Sequence, residues 1–271
     1  MNTTVKLRTG APLPRIGLGV FRAPSGEATR SAVLAALDAG YRHIDTAKIY
    51  GNEQDVGEAI RHSAVPRSEI FVTTKLWNSD QGFDSALRAF DASLQRLGLD
   101  YVDLYLIHWP VPGLRLDSWR ALESLHEEKR ARAIGVSNFM VPHLDELAAR
   151  ARTLPAVNQI EVSPFLQQRD VRAWCEEHDV VVEAYSPLTK GARLGHPVVI
   201  DVASRTGRTP AQVLLRWGLQ RDLVVLPKST RPERIRENAA VFDFELNAGD
   251  LARLDALEEG LATGWDPRGK P

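Results

Sequence analysis

This 271-residue sequence contains few cysteines and lysines, and its net charge is close to zero. The single cysteine, Cys175, excludes an intrachain disulfide and is typical of a protein from a reducing compartment. The formal net charge is -1 and no run of Lys and Arg stands out, so the basic face of a nucleic-acid-binding protein is missing. We therefore predict that the protein has no nucleic-acid partner.

Long apolar runs are absent as well. No stretch approaches the roughly 18 apolar residues that a membrane-spanning helix needs. The first ten residues, MNTTVKLRTG, lack the apolar segment of a signal peptide. These absences predict a soluble cytoplasmic protein with no membrane contact.

Short runs rich in Val, Ile and Leu alternate with amphipathic helical segments along the chain. The predicted strands are 15–20, 42–46, 70–75, 102–108, 132–137, 156–161, 180–186 and 223–229. Several are almost continuously apolar, which is typical of parallel strands covered on both faces. Eight strands with intervening helices predict an α/β fold, a (β/α)8 TIM barrel formed by a single domain, 1–271. An open doubly wound sheet is the alternative.

The two ends of the chain add smaller features to the predicted barrel. Residues 5–16 resemble a β-hairpin with its turn at Thr9 and Gly10. The last predicted helix runs over 247–260 and ends at Gly260, which leaves only a short C-terminal loop.

Three helix starts can be predicted from capping residues. Ser79 or Asp80 is the expected cap of the helix 79–98. Thr209 with Gln212, and Thr230 with Glu233, have the spacing of a capping box for the helices that follow them.

Nearly every predicted strand ends in a side chain that can ionise or form a hydrogen bond. Along the chain these residues are Asp45, Lys75, His108, Ser137 with Asn138, Gln159 with Glu161, Tyr185 with Ser186, and Lys228 with Ser229. Each has an ordinary structural alternative, such as a helix cap, a snorkelling lysine or a core histidine. A barrel needs only apolar filling there, however, and barrel enzymes carry their chemistry at these strand ends. The repeated pattern therefore predicts an active site.

Three of these residues, Asp45, Lys75 and His108, can act together with Tyr50 as a single proton-donating group. The Tyr50 phenol is a weak acid, and a neighbouring cation such as Lys75 would make it a better one. Asp45 can supply the counter-charge that a buried lysine needs, and His108 can orient a carbonyl oxygen beside the phenol. Lysine is rare here, with seven against twenty-seven arginines, so its presence at Lys75 and Lys228 suggests a need for an ammonium group.

Seven motifs in register resemble those of the aldo-keto reductases, from about residue 5 to residue 245. They are HIDTAKIYGNE (43–53), TTKLWNSDQG (73–82), YLIHWP (105–110), IGVSNF (134–139), VNQIEVSP (157–164), AYSPL (184–188) and LPKSTRPERIREN (226–238). Within that family the sequence is most similar to the bacterial branch that includes the 2,5-diketo-D-gluconate reductases. The resemblance implies a monomer with a catalytic tetrad of Asp45, Tyr50, Lys75 and His108.

The resemblance also implies NADPH as the hydride donor and a set of cofactor-binding residues. These are Gly19, Val20, Phe21 and Asp45 near the nicotinamide; Ser137, Asn138 and Gln159 at its carboxamide; Tyr185 stacked on its ring; Ser186 and Leu188 at the pyrophosphate; Lys228, Ser229, Thr230 and Arg234 at the 2′-phosphate; and Glu237 and Asn238 at the adenine. An ammonium, a guanidinium and a helix N-terminus suit a phosphate, which favours NADPH over NADH. The segment GLGVFR lacks the third glycine of a Rossmann fingerprint.

We expect the substrate pocket to be lined by Phe21, Tyr50, Trp77, His108, Trp109 and Trp265. The predicted reaction is NADPH-dependent reduction of an aldehyde or ketone, with Tyr50 as proton donor. Candidate substrates are small carbonyls such as 2,5-diketo-D-gluconate, methylglyoxal or α-ketoesters. His43 and Asp45 lack a third metal ligand, so no metal is expected. An NADPH-binding sensor with little turnover, or a Schiff-base lyase using Lys75, remains an alternative.

Overall fold

The computed structural model describes residues 3–269, and it begins with the expected hairpin. Strands β1 (Thr4–Lys6) and β2 (Pro12–Pro14) pair antiparallel, with Val5 opposite Leu13. The turn is held by a hydrogen bond from Leu7 N to Ala11 O of 2.9 Å. It passes through Gly10 at φ +86°, a conformation that favours glycine. The predicted turn at residues 9 and 10 is therefore confirmed.

Eight parallel strands follow and form the barrel. They are β3 (Leu18–Gly19), β4 (His43–Asp45), β5 (Phe71–Leu76), β6 (Val102–Ile107), β7 (Ala131–Ser137), β8 (Val157–Glu161), β9 (Val181–Tyr185) and β10 (Val224–Leu226), paired in chain order. The first and last meet through a parallel bridge between Ile16 and Val225 and a bond from Gly19 N to Pro227 O of 3.1 Å. The closed (β/α)8 barrel is confirmed, and the open sheet is excluded.

Ten α-helices are described, most of them between successive strands and outside the barrel. They are α1 (Glu27–Asp38), α2 (Glu53–His62), α3 (Phe83–Leu97), α4 (Arg115–Glu127), α5 (Val141–Ala148), α6 (Arg169–Glu177), α7 (Pro197–Thr206), α8 (Pro210–Gln220), α9 (Pro232–Ala239) and α10 (Ala248–Asp255). Within residues 3–269, none of the helices has the length and apolar character to cross a membrane.

The capping predictions were right for one helix and wrong for two. Helix α8 begins with the predicted box, in which Thr209 Oγ1 and the Gln212 side chain bond each other's backbone N–H groups. Helix α3 begins only at Phe83, because Ser79 and Asp80 form a separate 3-10 turn in which Asp80 pairs with Lys48.

Helix α9 is capped at Arg231 rather than at Thr230, and no side chain caps its first turn. The reason is Pro232, which occupies the first helical position that proline prefers and so moves the cap to the preceding residue. Helix α10 ends at Asp255, five residues before the predicted Gly260, and the chain beyond it is irregular.

Two apolar cores stabilise the barrel. The larger lies between the strands and the outer helices. The smaller fills the lower barrel interior, where Leu7 and Leu13 of the hairpin pack with Phe71, Leu104, Leu106, Val157 and Val224. The hairpin closes this end of the barrel. The polar residues at the ends of the parallel strands lie at the opposite, open end.

Candidate active site

The site is built around the Lys75 side chain, which is fully buried at the end of β5. Its Nζ donates to both oxygens of Asp45 at 2.7 Å and to Thr46 O at 2.9 Å. A fourth neighbour, the Tyr50 hydroxyl, lies 3.3 Å from Nζ. The ammonium therefore joins the carboxylate and the phenol, as the sequence interpretation expects of these three residues.

Tyr50 is placed by a short 3-10 turn, Lys48–Tyr50, that follows β4. Buried Asn52 fixes this turn, because Thr46 Oγ1 donates to its Oδ1 at 2.8 Å and its Nδ2 donates to Val20 O at 3.0 Å. Sequence reasoning did not assign a role to Asn52. The sequence feature that could have pointed to Asn52 is its position as a polar residue within the HIDTAKIYGNE motif.

The charges of this group follow from burial and from each other. Burial lowers the pKa of Lys75, but Asp45 and Tyr50 together more than compensate, so the pKa ends above its ordinary value and the ammonium stays charged. Burial raises the pKa of the Tyr50 phenol, and Lys75 opposes that rise without cancelling it. The expectation of a lowered Tyr50 pKa is therefore wrong for the net value, although the contribution of Lys75 has the expected sign.

His108 follows β6 and presents a buried ring to the same space. Its ring centroid lies 5.7 Å from that of Tyr50 and 5.2 Å from that of Trp77, both edge-on. Burial, together with Lys75, holds its pKa well below the usual value, so the imidazole is neutral near pH 7. Within residues 3–269 its Nδ1 has no hydrogen-bond partner. A neutral ring carries one N–H, which can be offered to a carbonyl oxygen.

A second polar group lies beneath the tetrad, and the sequence analysis assigned no role to its carboxylic acid, Glu183. Gln159 Nε2 donates to Asp45 Oδ2 and to Glu183 Oε2, both at 2.8 Å. Burial raises the Glu183 pKa to about 8, and burial lowers the pKa of neighbouring His43 to about 3. Both groups are therefore uncharged at neutral pH. The signal for Glu183 was a carboxylate inside the apolar run 180–184.

The residues expected at the nicotinamide carboxamide form one connected network. Ser137 Oγ donates to Gln159 O at 2.8 Å, and Asn138 Nδ2 donates to Ser137 Oγ at 3.1 Å and to His108 O at 3.0 Å. The Tyr185 hydroxyl donates to Asn138 Oδ1 at 2.8 Å. The four predicted residues Ser137, Asn138, Gln159 and Tyr185 thus lie together beside the tetrad.

The remaining residues expected near the nicotinamide and pyrophosphate lie in two rim segments. After β3, Val20 N donates to Asp45 O at 3.0 Å, which places Gly19 and Val20 against Asp45, and Phe21 is 46% exposed. After β9, Ser186 adopts φ +49° in a tight turn, and partly buried Leu188 packs on the outer core.

The basic segment 228–238 combines exposed and buried residues. The Lys228 and Arg234 side chains are exposed, and neither forms an ion pair in the part of the chain that the structure describes. Ser229 Oγ accepts from Arg231 N at 3.1 Å just before α9, beside Thr230. Glu237 accepts from Thr209 Oγ1 at 2.6 Å, and Asn238 is buried. Two free cations at a helix start are suited to a phosphate.

The aromatic residues predicted to line the pocket form a continuous wall. Phe21 contacts Tyr50 with centroids 4.9 Å apart, His108 and Trp109 lie 6.4 Å apart with nearly parallel rings, and Trp109 meets Trp265 edge-on at 4.5 Å. Trp77 extends this wall through its edge-on contact with the His108 ring. Residues 3–269 contain no group of three or more His, Cys, Asp or Glu side chains that could hold a metal ion.

Comparisons with known proteins agree with this geometry. The model of the Aldo/keto reductase family matches residues 15–259. The chain is 48% identical to the glyoxal reductase of Bacillus subtilis (98% of this chain, 97% of that protein) and 49% identical to the morphine 6-dehydrogenase of Pseudomonas putida (97% and 94%). The crystal structure of an aldo-keto reductase enzyme from a Medee basin deep-sea metagenome library is 44% identical, covers 99% of each chain and superposes with a TM-score of 0.95. The protein therefore belongs to the aldo/keto reductase family and is an oxidoreductase of the carbonyl-reducing kind.

Proposed function

We propose that this protein reduces aldehydes and ketones to alcohols with NADPH, and that Tyr50 donates the proton. The observation that carries the proposal is the Lys75 ammonium, which lies 2.7 Å from the Asp45 carboxylate and 3.3 Å from the Tyr50 hydroxyl. A cation fixed beside a phenol stabilises the phenolate that remains after proton transfer.

Each member of the tetrad has a distinct part in this reaction. NADPH, when bound, supplies the hydride that is added to the carbonyl carbon. Neutral His108 donates a hydrogen bond to the carbonyl oxygen and orients it toward Tyr50. Tyr50 then gives its proton to that oxygen, while Lys75 balances the charge left on the phenolate and Asp45 holds Lys75 in place. The products are an alcohol and the oxidised cofactor.

The cofactor would lie across the open end of the barrel. Gln159 uses its NH₂ group on two carboxyl groups, so its carbonyl oxygen is left to accept from the nicotinamide carboxamide. Ser137, Asn138 and the ring of Tyr185 border the same space. The free cations of Lys228 and Arg234 at the start of α9 support a 2′-phosphate ligand, and hence NADPH over NADH.

Small or polar carbonyls are the proposed substrates. Tyr50 and His108 at the inner end of the aromatic wall suit a compact carbonyl compound, and one 48%-identical relative is named glyoxal reductase. We accordingly propose methylglyoxal and other dicarbonyls first. α-Ketoesters and 2,5-diketo-D-gluconate, which the branch resemblance suggests, come next. The monomeric state and the cytoplasmic location stay predictions.

The test is oxidation of NADPH, followed by absorbance, against methylglyoxal, an aromatic aldehyde, an α-ketoester and 2,5-diketo-D-gluconate. NADH is run beside NADPH, and Tyr50→Phe is the matched control because it removes only the hydroxyl. Turnover that is lost in Tyr50→Phe, with NADPH still bound, supports the proposal. Tight NADPH binding without turnover of any carbonyl would contradict it and favour the sensor.

A further inference from the structure

Glu161, the last residue of β8, has a buried carboxylate with unusual partners. Its Oε1 accepts hydrogen bonds from Thr263 N at 2.9 Å and from the Thr263 hydroxyl, and its Oε2 accepts from Gly264 N at 3.2 Å. The residue is only 4% exposed. Among residues 3–269, no Lys, Arg or His lies within ion-pair distance of it. Its charge is therefore stabilised by donors of the C-terminal tail, and loss of those donors would leave it unsatisfied.

The same short stretch of tail is held from a second side. Lys190 Nζ donates to Thr263 O. A Cβ atom added at Gly264 would lie 3.5 Å from Glu161 Oε2 and 3.7 Å from Lys190 Nζ, so Gly264 passes between the two side chains. The tail has no regular secondary structure after α10. Its position over the barrel therefore depends on these side-chain contacts and on two isolated backbone bonds, from Glu259 N and Leu261 N to Phe165 O at 3.2 and 3.0 Å, rather than on a strand ladder.

Trp265 is the residue that these contacts place over the site. Its ring meets Trp109 edge-on at 4.5 Å, and Trp109 in turn lies beside His108. Trp265 is 60% exposed, so packing around it does little to fix its position. On its N-terminal side, the adjacent residues Thr263 and Gly264 are held by Glu161.

We propose that Glu161 is a specificity-determining residue, which holds the tail so that Trp265 forms the outer wall of the pocket for carbonyl substrates bearing an aromatic ring. This inference rests on the proposed function, because it concerns the substrates of that same reaction. A small dicarbonyl such as methylglyoxal is too short to need the outer wall. An aryl substituent would pack on Trp109 and Trp265, where an aromatic pair contributes beyond its buried area.

The test compares Glu161→Ala, Trp265→Ala and the double variant, each with an aromatic aldehyde and with methylglyoxal. We expect Glu161→Ala to raise KM for the aromatic aldehyde about tenfold, the loss of one aromatic contact, with kcat and both methylglyoxal constants within about twofold. Trp265→Ala should raise KM for the aromatic aldehyde to a similar extent, because it removes the same wall directly. The double variant should be no worse than either single variant, because both changes remove one wall. Glu161→Gln, which keeps one accepting oxygen, should fall between wild type and Glu161→Ala.

Three results would overturn the inference. One is an equal loss on both substrates, which would point to general damage. Another is additive effects of the two single changes, which would mean that Glu161 does not act through Trp265. The third is an unchanged KM for the aromatic aldehyde in a Glu161→Ala protein whose thermal unfolding matches wild type. A failure of the proposed function looks different, since wild type itself would then turn over no carbonyl, and this inference would fall with it.

Discussion

The Lys75 ammonium bonds both oxygens of the Asp45 carboxylate at 2.7 Å, and both side chains are almost completely buried. Each charge depends on the other, because neither has water to replace a lost partner. Asp45 therefore has two effects that can be measured separately: it keeps Lys75 charged beside Tyr50, and it stabilises the fold around a buried cation.

Asp45→Asn should reduce both activity and stability. We expect kcat to fall by about 10²-fold or more, because Tyr50, the proton donor, loses the correctly placed ammonium of Lys75. The free energy of unfolding at pH 7 should fall by about 3–5 kcal/mol, because an uncompensated charge stays buried. Steady-state kinetics and urea denaturation measure the two effects.

The control for this prediction is the double variant Asp45→Asn with Lys75→Met, which removes both charges. It should recover much of the lost stability while staying inactive. Equal instability of the single and double variants would show that the buried charge is not the cause.

Glu183→Gln should change how stability depends on pH. The Glu183 pKa is raised from 4.5 to about 8, so the folded protein keeps a proton that the unfolded chain has lost. The stability that this proton contributes is complete below pH 4.5 and disappears as the pH rises to about 8, at about 1.4 kcal/mol per pH unit. The variant cannot titrate and should lack this slope.

The informative window runs from pH 6.5 to 8, and the contribution of His43 cancels there because both proteins contain it. Over that window wild type should lose about 2 kcal/mol relative to Glu183→Gln, as urea denaturation at several pH values would show. Parallel curves for the two proteins would mean that Glu183 is ionised in the fold.

The basic segment before α9 should decide the choice between NADPH and NADH. Lys228→Ala and Arg234→Ala should each raise KM for NADPH about tenfold or more, the loss of one charged hydrogen bond, and leave KM for NADH almost unchanged. The effect should shrink as salt is added. Arg236→Ala is the matched control, since this exposed arginine lies on the same helix but outside the predicted set. Equal losses with both cofactors would contradict a 2′-phosphate site.

Helices α2 and α3 pack so closely at Gly57 that no side chain fits there. An added Cβ would lie 1.8 Å from Leu97 O, a backbone atom that cannot turn aside. Gly57→Ala should therefore lower the free energy of unfolding by about 3 kcal/mol, the cost of overpacking. At Gly195, where an added Cβ meets nothing within 4 Å, the same change should stay within about 0.5 kcal/mol. A thermal-unfolding scan of both variants checks the contrast.

The barrel and the tetrad could be predicted because local pattern and local chemistry agree in them. Apolar runs mark each strand, and the polar residue that ends each run, such as Lys75 or His108, is placed at the open end by topology alone. Thr209 and Gln212 similarly specify a helix start within four residues of sequence. Information of this kind lies in short windows.

What could not be predicted depends on contacts between distant residues. Nothing near Glu161 in the sequence indicates that Thr263 will be its partner, and Glu183 reads as an irregularity in a strand until Gln159 is placed beside it. The direction of the Tyr50 pKa shift also required the structure. The sequence indicates that a lysine is nearby, but it does not give the degree to which the phenol is buried. Pro232 also shifts the start of α9 by one residue, an effect that outweighs the capping-box spacing of Thr230 and Glu233.

The hairpin that packs Leu7 and Leu13 into the lower barrel affects how molecules reach the site. Among the described residues it fills the lower barrel interior, and the site opens at the strand ends, which form its mouth. Any molecule that reaches Asp45 must pass the aromatic wall at that mouth and must leave by the same route. The small antiparallel pair at the start of the chain therefore restricts the approach to the site to one direction.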